Sequence, residues 1–314
     1  MHEVPLIDVR DFFNPVKRIE FIQTLGDAFR ELGFIRLTGH NVDSGITKIA
    51  YENIKKFFAL SEEEKKRYLI VGGAGQRGYT PYLAESAKDS DFPDLKEFWH
   101  VGRELLEDDE LFDMYPPNIW PAEVPEFKES LLNLYDSLED CSDVLLESLA
   151  VYLGEERDIF TRMTDKGNTI LRALFYPSLK EQESVQGAIR AAAHEDINFI
   201  TLLIGSTSSG LQLLNRDGEW LDIETNEGEI IADAGDMLSR VTNGYISATT
   251  HRVINSDDEN ADRYSIPFFV HPRPDSLLKV LDSCKGEEFP EPSRDILGID
   301  FLNERLFELG LNKI

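Results

Sequence analysis

Ala191-Ala192-Ala193-His194-Glu195-Asp196-Ile197-Asn198-Phe199-Ile200-Thr201-Leu202-Leu203 is the stretch whose reading decides the fold of this 314-residue chain. It sets a histidine and an aspartate two positions apart, just ahead of a run rich in β-branched and aromatic residues. On extended backbone, residues two apart leave the same face, so His194 and Asp196 project together. The counterpart stretch is Thr249-Thr250-His251-Arg252-Val253, followed by Arg263-Tyr264-Ser265-Ile266-Pro267-Phe268-Phe269. Between them lie short β-rich runs separated by turn signals.

Working outward, the spacing predicts strands over 170–176, 199–204, 211–214, 220–223, 229–232, 246–250 and 264–271. Asp217-Gly218 between two such runs is a hairpin signal. Many short strands at close spacing indicate a sandwich or barrel, since a parallel sheet would need alternating helices. Among these, a jelly roll closes most of its edges and leaves a pocket between two sheets.

The flanks read differently. A short strand is predicted over 4–9, and Asn14-Pro15 offers a helix start. Ile19, Ile22, Gly26, Phe29 and Leu32 then recur at helical spacing, and Gly33 ends the run. A strand follows over 34–38. Ile46, Ala50, Ile54 and Phe57 mark a second helix, and Ser61-Glu62-Glu63-Glu64 is a capping-box pattern. Residues 72–91 carry no period and read as a loop. Their glycines lack the Lys-Ser/Thr of a P-loop and do not form GxGxxG, which excludes that route to nucleotide binding. Residues 125–153 give the longest helical signal, with Leu131, Leu134, Leu138, Cys141 and Leu145 on one face and acidic residues on the other. The acidic face reads as a solvated surface and Cys141 as a core thiol. A last helix is predicted over 299–311, carrying Phe301, Leu302, Leu306 and Leu309. The expected organisation is an N-terminal module over 1–120 packed on a second part over 121–314. The latter holds the long helix, a jelly-roll core near 165–275 and the C-terminal helix, all as one compact unit.

Composition narrows the function. The formal charge of −27 argues against nucleic acid as a partner, because that needs clustered Lys and Arg to replace counterions. Two cysteines far apart suggest no disulfide framework. The N-terminus lacks the basic and apolar regions of a signal peptide, and no apolar run reaches membrane-spanning length. A cytoplasmic protein without a membrane partner is expected; oligomeric state is left open.

His194, Asp196 and His251 supply two imidazoles and one carboxylate. Such a set takes one face of an octahedral ion and leaves positions for substrate and oxygen. Arg263 and Ser265 project from one face of the last long strand, a planar fork of donors with a hydroxyl beside it, suited to gripping a carboxylate. Alone, each motif has a structural alternative, and their ordered coincidence carries the reading. His40 follows a strand and reads as structural; His2, His100 and His271 show no metal spacing.

With these residues in place, the chain resembles the isopenicillin N synthase-like family of iron(II)/2-oxoglutarate-dependent dioxygenases. The resemblance rests on Val4-Pro5-Leu6-Ile7-Asp8, residues 33–40, Arg77-Gly78-Tyr79, Lys96-Glu97-Phe98-Trp99, His194-Glu195-Asp196, Gly235-Asp236, Asn243-Gly244-Tyr245, His251-Arg252-Val253 and Arg263-Tyr264-Ser265. It implies an α+β fold, a double-stranded β-helix (jelly-roll) core flanked by helices, with a mixed helical N-terminal module and a C-terminal helix. It implies iron(II) on His194, Asp196 and His251, with Arg263, Ser265 and Tyr176 binding 2-oxoglutarate, O2 as oxidant and ascorbate as reductant. The implied reaction couples oxidative decarboxylation of 2-oxoglutarate to hydroxylation, desaturation or cyclisation of a small organic substrate. Gln76, Arg77, Tyr79, Phe98 and Phe175 are candidates for the substrate pocket. Leu174 departs from the family pattern, which has asparagine there, so one hydrogen bond to the cosubstrate is expected to be missing. Two alternatives stay open: an iron oxidase or cyclase of this fold that uses no 2-oxoglutarate, and a non-catalytic metal-binding sensor.

Overall fold

The computed structural model describes residues 3–73, 75–85, 92–178, 189–205, 210–255 and 262–308. Strand β1 (Leu6–Asp8) leads into a short 3-10 turn, Val9–Phe13, capped by the Asp8 carboxylate, which accepts from Arg10 N. Helix α1 (Arg18–Glu31) begins later than Asn14-Pro15 suggests, because Asn14 Oδ1 accepts from Val16 N at 3.0 Å and caps a turn instead. The buried face is therefore Phe21, Leu25, Ala28 and Phe29, and Ile19, expected inside, is 79% exposed. Gly33 ends the helix at φ 68°, and a Cβ there would lie 2.1 Å from Thr249 Oγ1. Only glycine fits that left-handed, crowded position.

Strand β2 (Phe34–Thr38) pairs parallel with β1. Helix α2 (Ser44–Phe58) is capped by Asp43, which accepts from Gly45 N and Ile46 N. Helix α3 (Glu62–Lys66) carries the expected capping box between Ser61 and Glu64. Within the expected loop lies strand β3 (Gly78–Thr80), paired antiparallel with the wholly buried β4 (Glu97–Gly102). Three residues are too few for a period to register in the sequence. Residues 74 and 86–91 of that loop lie outside the described residues.

Helix α4 (Phe127–Tyr152) buries Leu131, Leu134, Leu138, Leu145 and Leu149, with Cys141 buried and free as expected. It packs on α1, α2 and one face of the main sheet. A short helix, α5 (Ile159–Thr164), follows. The remaining strands are β5 (Ile170–Tyr176), β6 (Ala191–His194), β7 (Ile200–Ile204), β8 (Leu211–Leu214), β9 (Trp220–Asp222) and β10 (Ile230–Ala234). After helix α6 (Asp236–Val241) come β11 (His251–Val253), β12 (Arg263–Val270), β13 (Leu277–Leu278), β14 (Ile296–Leu297) and helix α7 (Gly298–Glu308). The strand expected over 246–250 is not formed. Thr242 Oγ1 bonds both the N–H and the C=O of Ile246 at 3.2 Å, and the Thr249 hydroxyl donates to Leu32 O at 2.8 Å. These side-chain bonds tie the segment to helix ends instead of a neighbouring strand. Leu309, expected on the last helix, lies outside the described residues.

Two sheets make the jelly roll. Eight strands run in the order β1-β2-β10-β7-β12-β5-β4-β3, and four in the order β6-β11-β8-β9. Alternation along the strands divides the core. Leu202, Ile204, Ile266 and Phe268 join the helices in the large cluster, while Phe34, Ile231, Leu211, Leu213 and Val253 fill a smaller one between the sheets. Residues 263, 265, 267 and 269 of β12 turn inward with the second set.

Candidate active site

β6 and β11 pair with His194 directly opposite His251, so the sheet register alone brings the two imidazoles together. Their ring centroids are 4.4 Å apart. Each Nδ1 donates to a carbonyl of its own chain segment: His194 to Ala192 O at 2.7 Å, His251 to Thr249 O at 3.1 Å. A carbonyl can only accept, so Nδ1 carries the proton and Nε2 keeps its lone pair. Both Nε2 atoms approach Asp196 Oδ1, at 3.8 Å from His194 and 3.9 Å from His251. All three donor atoms lie within 4.8 Å of one another, near the span of two typical ~2.1 Å nitrogen–metal bonds, so a single ion can sit among them. Burial and the neighbouring His251 pull the His194 pKa down to about 4, which keeps its donor available at neutral pH.

Asp196 lies just beyond β6, on a loop clamped by the turn from β10 into α6. Asp236 N donates to Asp196 O at 2.7 Å and Gly235 N to Phe199 O at 2.9 Å. The approach is so close that a Cβ on Gly235 would fall 2.2 Å from Asn198 O. Asp196 Oδ2 accepts from the Thr201 hydroxyl, which itself accepts from Asn198 Nδ2 at 3.1 Å. The carboxylate is thus oriented by a second layer of bonds, as metal ligands commonly are.

Between the sheets, a cavity runs from these three residues to Arg263 and Ser265, both buried. Arg263 pairs across the sheet with Tyr176 and its guanidinium carbon sits 4.9 Å from that ring's centroid, while Ser265 faces Leu174. Leu174 lines the cavity with an apolar side chain. Asp233 lines it too, and its Oδ2 has no partner among the described residues. Burial, then the charge of Asp196, push the Asp233 pKa well above the usual carboxylate value.

A second, outer cavity opens on the other side of His194 and Asp196. Of the residues singled out for substrate, Gln76 and Phe98 line it. Arg77 is buried away from it, Tyr79 donates to Glu97 within a cluster completed by Lys65, and Phe175 stacks between Phe58 and Tyr264. His40 Nε2 donates to Gly228 O at 2.8 Å, a structural bond. Leu302 and Leu306 of α7 close the outer cavity. Thr80, Glu85, Lys96, His100 and Arg172 also line it, and the sequence pattern points to none of them as a site residue. Arg172 does leave a signal: it shares the inward face of β5 with Leu174 and Tyr176 at a spacing of two.

Residues 167–272 match the 2OG-Fe(II) oxygenase superfamily, and residues 4–123 match the family described as non-haem dioxygenase in morphine synthesis N-terminal. The 2-oxoglutarate-Fe(II) type oxidoreductase hxnY of Emericella nidulans is 31% identical over 298 residues, covering 91% of this chain and 85% of that protein. The chain belongs to the 2OG-Fe(II) oxygenase superfamily.

Solved members of this superfamily share its architecture. A 2OG-Fe(II) oxygenase family protein from Caulobacter crescentus is 38% identical with a TM-score of 0.88, covering 98% of this chain and 99% of that one. A full-length Neurospora crassa protein, solved in complex with alpha-KG and thymine, is 28% identical with a TM-score of 0.85, covering 97% and 96%. As a 2OG-Fe(II) oxygenase, the protein is an oxidoreductase that uses iron(II), 2-oxoglutarate and O2. The observed donor set fits the metal: two neutral imidazole nitrogens and a carboxylate oxygen suit iron(II), with the Nδ1 atoms already committed elsewhere.

Proposed function

We propose that this 2OG-Fe(II) oxygenase oxidises a small organic molecule held in the outer cavity. In this reading His194 Nε2, Asp196 and His251 Nε2 bind the iron. Arg263 and Ser265 grip the distal carboxylate of 2-oxoglutarate, with Tyr176 beside them. One observation carries the reading: three convergent donors stand at the junction of two cavities, one reaching a buried guanidinium and the other lined by Gln76 and by α7.

Each residue has a physical task. Bound iron(II) and 2-oxoglutarate supply reductive activation of O2, with 2-oxoglutarate converted to succinate and CO2. Arg263 neutralises the distal carboxylate within a buried cavity, where a planar fork of donors also sets orientation. Thr201 holds Asp196 so that Oδ1 faces the imidazoles. Leu302 and Leu306 keep water from the reacting end. β1 to β4 belong to the same sheet as β12, which carries Arg263 and Ser265, so the N-terminal module and the catalytic core make one unit.

Anaerobic calorimetry of iron(II) and then 2-oxoglutarate, followed by succinate release in air, tests the assignment. His194→Ala should abolish iron binding, and Arg263→Gln should weaken 2-oxoglutarate while sparing iron. Retention of tight iron binding by His194→Ala, or undiminished 2-oxoglutarate affinity in Arg263→Gln, would overturn it.

A further inference from the structure

The polar end of the outer cavity restricts what can enter. Arg172 lies between two rings, its guanidinium carbon 4.2 Å from the Phe98 centroid and 5.1 Å from that of Phe269. Its Nε donates to His100 Nε2 at 2.6 Å, and His100 Nδ1 donates to Gly75 O at 2.5 Å. Both ring nitrogens of His100 are therefore spent in the neutral tautomer. Burial, reinforced by Arg172, holds its pKa far below the usual imidazole value. The terminal nitrogens of Arg172 reach Glu85 only at 3.4 and 3.5 Å, whereas Lys96 takes that carboxylate at 2.7 Å and Asp94 at 2.8 Å. Arg172 thus keeps donor capacity toward the cavity. Thr80 also lines the cavity: it is 2% exposed, and its buried hydroxyl has no partner among the described residues. A buried hydroxyl left unbonded is costly, so a ligand group that bonds it gains affinity.

Charge and size settle the class. Lys96 and Arg172 balance Glu85 and Asp94, so the polar end is neutral as it stands. Burial alone would raise the Glu85 pKa, but Arg172 and Lys96 outweigh it and keep the carboxylate ionised. A substrate carboxylate or ammonium would add an uncompensated buried charge there. A neutral carbonyl oxygen could accept from Arg172 or Thr80 without that cost. The cavity opens to solvent and measures about 140 Å³, so it has room for a single ring, given that roughly 150 Å³ holds benzene.

We propose that the substrate is a neutral, single-ring-sized molecule whose amide or lactam carbonyl is held by Arg172 and Thr80. Its apolar part lies toward Leu302 and Leu306, and the remainder of the ring faces the His194 and Asp196 end of the cavity. This rests on the reading of the outer cavity as the substrate site.

The test uses wild-type protein loaded anaerobically with iron(II) and 2-oxoglutarate. Benzamide against benzoate, nicotinamide against nicotinate, and 2-pyridone alone are titrated by calorimetry. At least one amide should bind ten times more tightly than its carboxylate partner or, for 2-pyridone, than either carboxylate. Thr80→Val, isosteric at a hydroxyl that makes no bond within the described fold, should weaken that amide about tenfold, and Arg172→Lys should weaken it further. Carboxylates binding as tightly as amides, no binding by any amide, or an unchanged amide affinity in Thr80→Val each overturn the proposal. Failure of the wild type to bind iron(II) and 2-oxoglutarate would instead strike the underlying site assignment, and that loading step is measured first.

Discussion

The Thr201 hydroxyl donates to Oδ2 of Asp196, leaving Oδ1 as the oxygen directed at the Nε2 atoms of His194 and His251. Thr201 stands on β7 of the main sheet, so the large sheet orients a carboxylate that belongs to the loop after β6. Thr201→Val keeps the shape and removes the donor. Iron(II) affinity should fall roughly 10- to 100-fold, the usual cost of losing an outer-layer partner. Thr201→Ser should recover most of it. Anaerobic iron titration of the two variants checks the prediction, and equal affinities would refute it.

Arg263 is 1% exposed, and its guanidinium stacks beside Tyr176 at the closed end of the inter-sheet cavity. Removing one partner of a buried, hydrogen-bonded charge pair costs about 2–5 kcal/mol. Arg263→Gln should therefore raise the 2-oxoglutarate dissociation constant by at least ~30-fold, with iron(II) affinity changed far less. Calorimetry on the iron-loaded variant reads the first effect and iron titration the second. Thermal melting separates both from simple unfolding.

Why some residues are legible in the sequence and others are not follows from what periodicity encodes. His194 and Asp196 stand two apart beside a strand, and Arg263 and Ser265 share one face of β12, so spacing alone sets their direction. That His194 meets His251 is a matter of sheet register, which local pattern does not carry. Ile19 fits a helical stripe, yet Asn14 caps a turn and the helix starts late, so the stripe is offset from the face that is buried. The 246–250 run has strand composition, but Thr242 and Thr249 consume its bonding capacity locally. Arg172 and Thr80 acquire meaning only from what lies opposite them: two rings, a shared carboxylate and an empty volume. Pattern reports which face a residue takes, and a site is made by what the other faces bring.

Gly235 tests how far the loop clamp matters. Its φ of −104° is ordinary, so any residue could adopt the backbone; space is the constraint. A Cβ would meet Asn198 O at 2.2 Å and Asp196 O at 2.9 Å, both backbone atoms that cannot swing aside. Gly235→Ala must push the Asp196 loop away from the α6 turn. We expect a stability loss of about 3 kcal/mol, the upper part of the overpacking range, together with weakened iron binding. Urea unfolding and iron titration measure the two. A variant that loses stability but keeps full iron affinity would show that the ligand loop does not depend on this clamp.

The long helix offers a pH test well away from the site. Asp143 on α4 is partly buried, and burial together with Glu139, Asp140 and Glu147 raises its pKa to about 6. In the unfolded chain it returns to about 3.9. Between those values the folded state holds the extra proton, so stability falls as pH climbs from roughly 4 through 6 and stays lower above. Below about pH 3 the side chain is neutral in both states and contributes no difference. Asp143→Asn removes the charge at every pH with little change in helix propensity. It should stabilise the protein at pH 8 by about 1 kcal/mol, allowing for solvent screening of a partly exposed group, and by only a small fraction of that at pH 4. Urea midpoints at the two pH values decide the matter. A gain of equal size at both would mean that the substitution acts through packing or propensity, since only a charge effect can vanish when the carboxylate is already protonated.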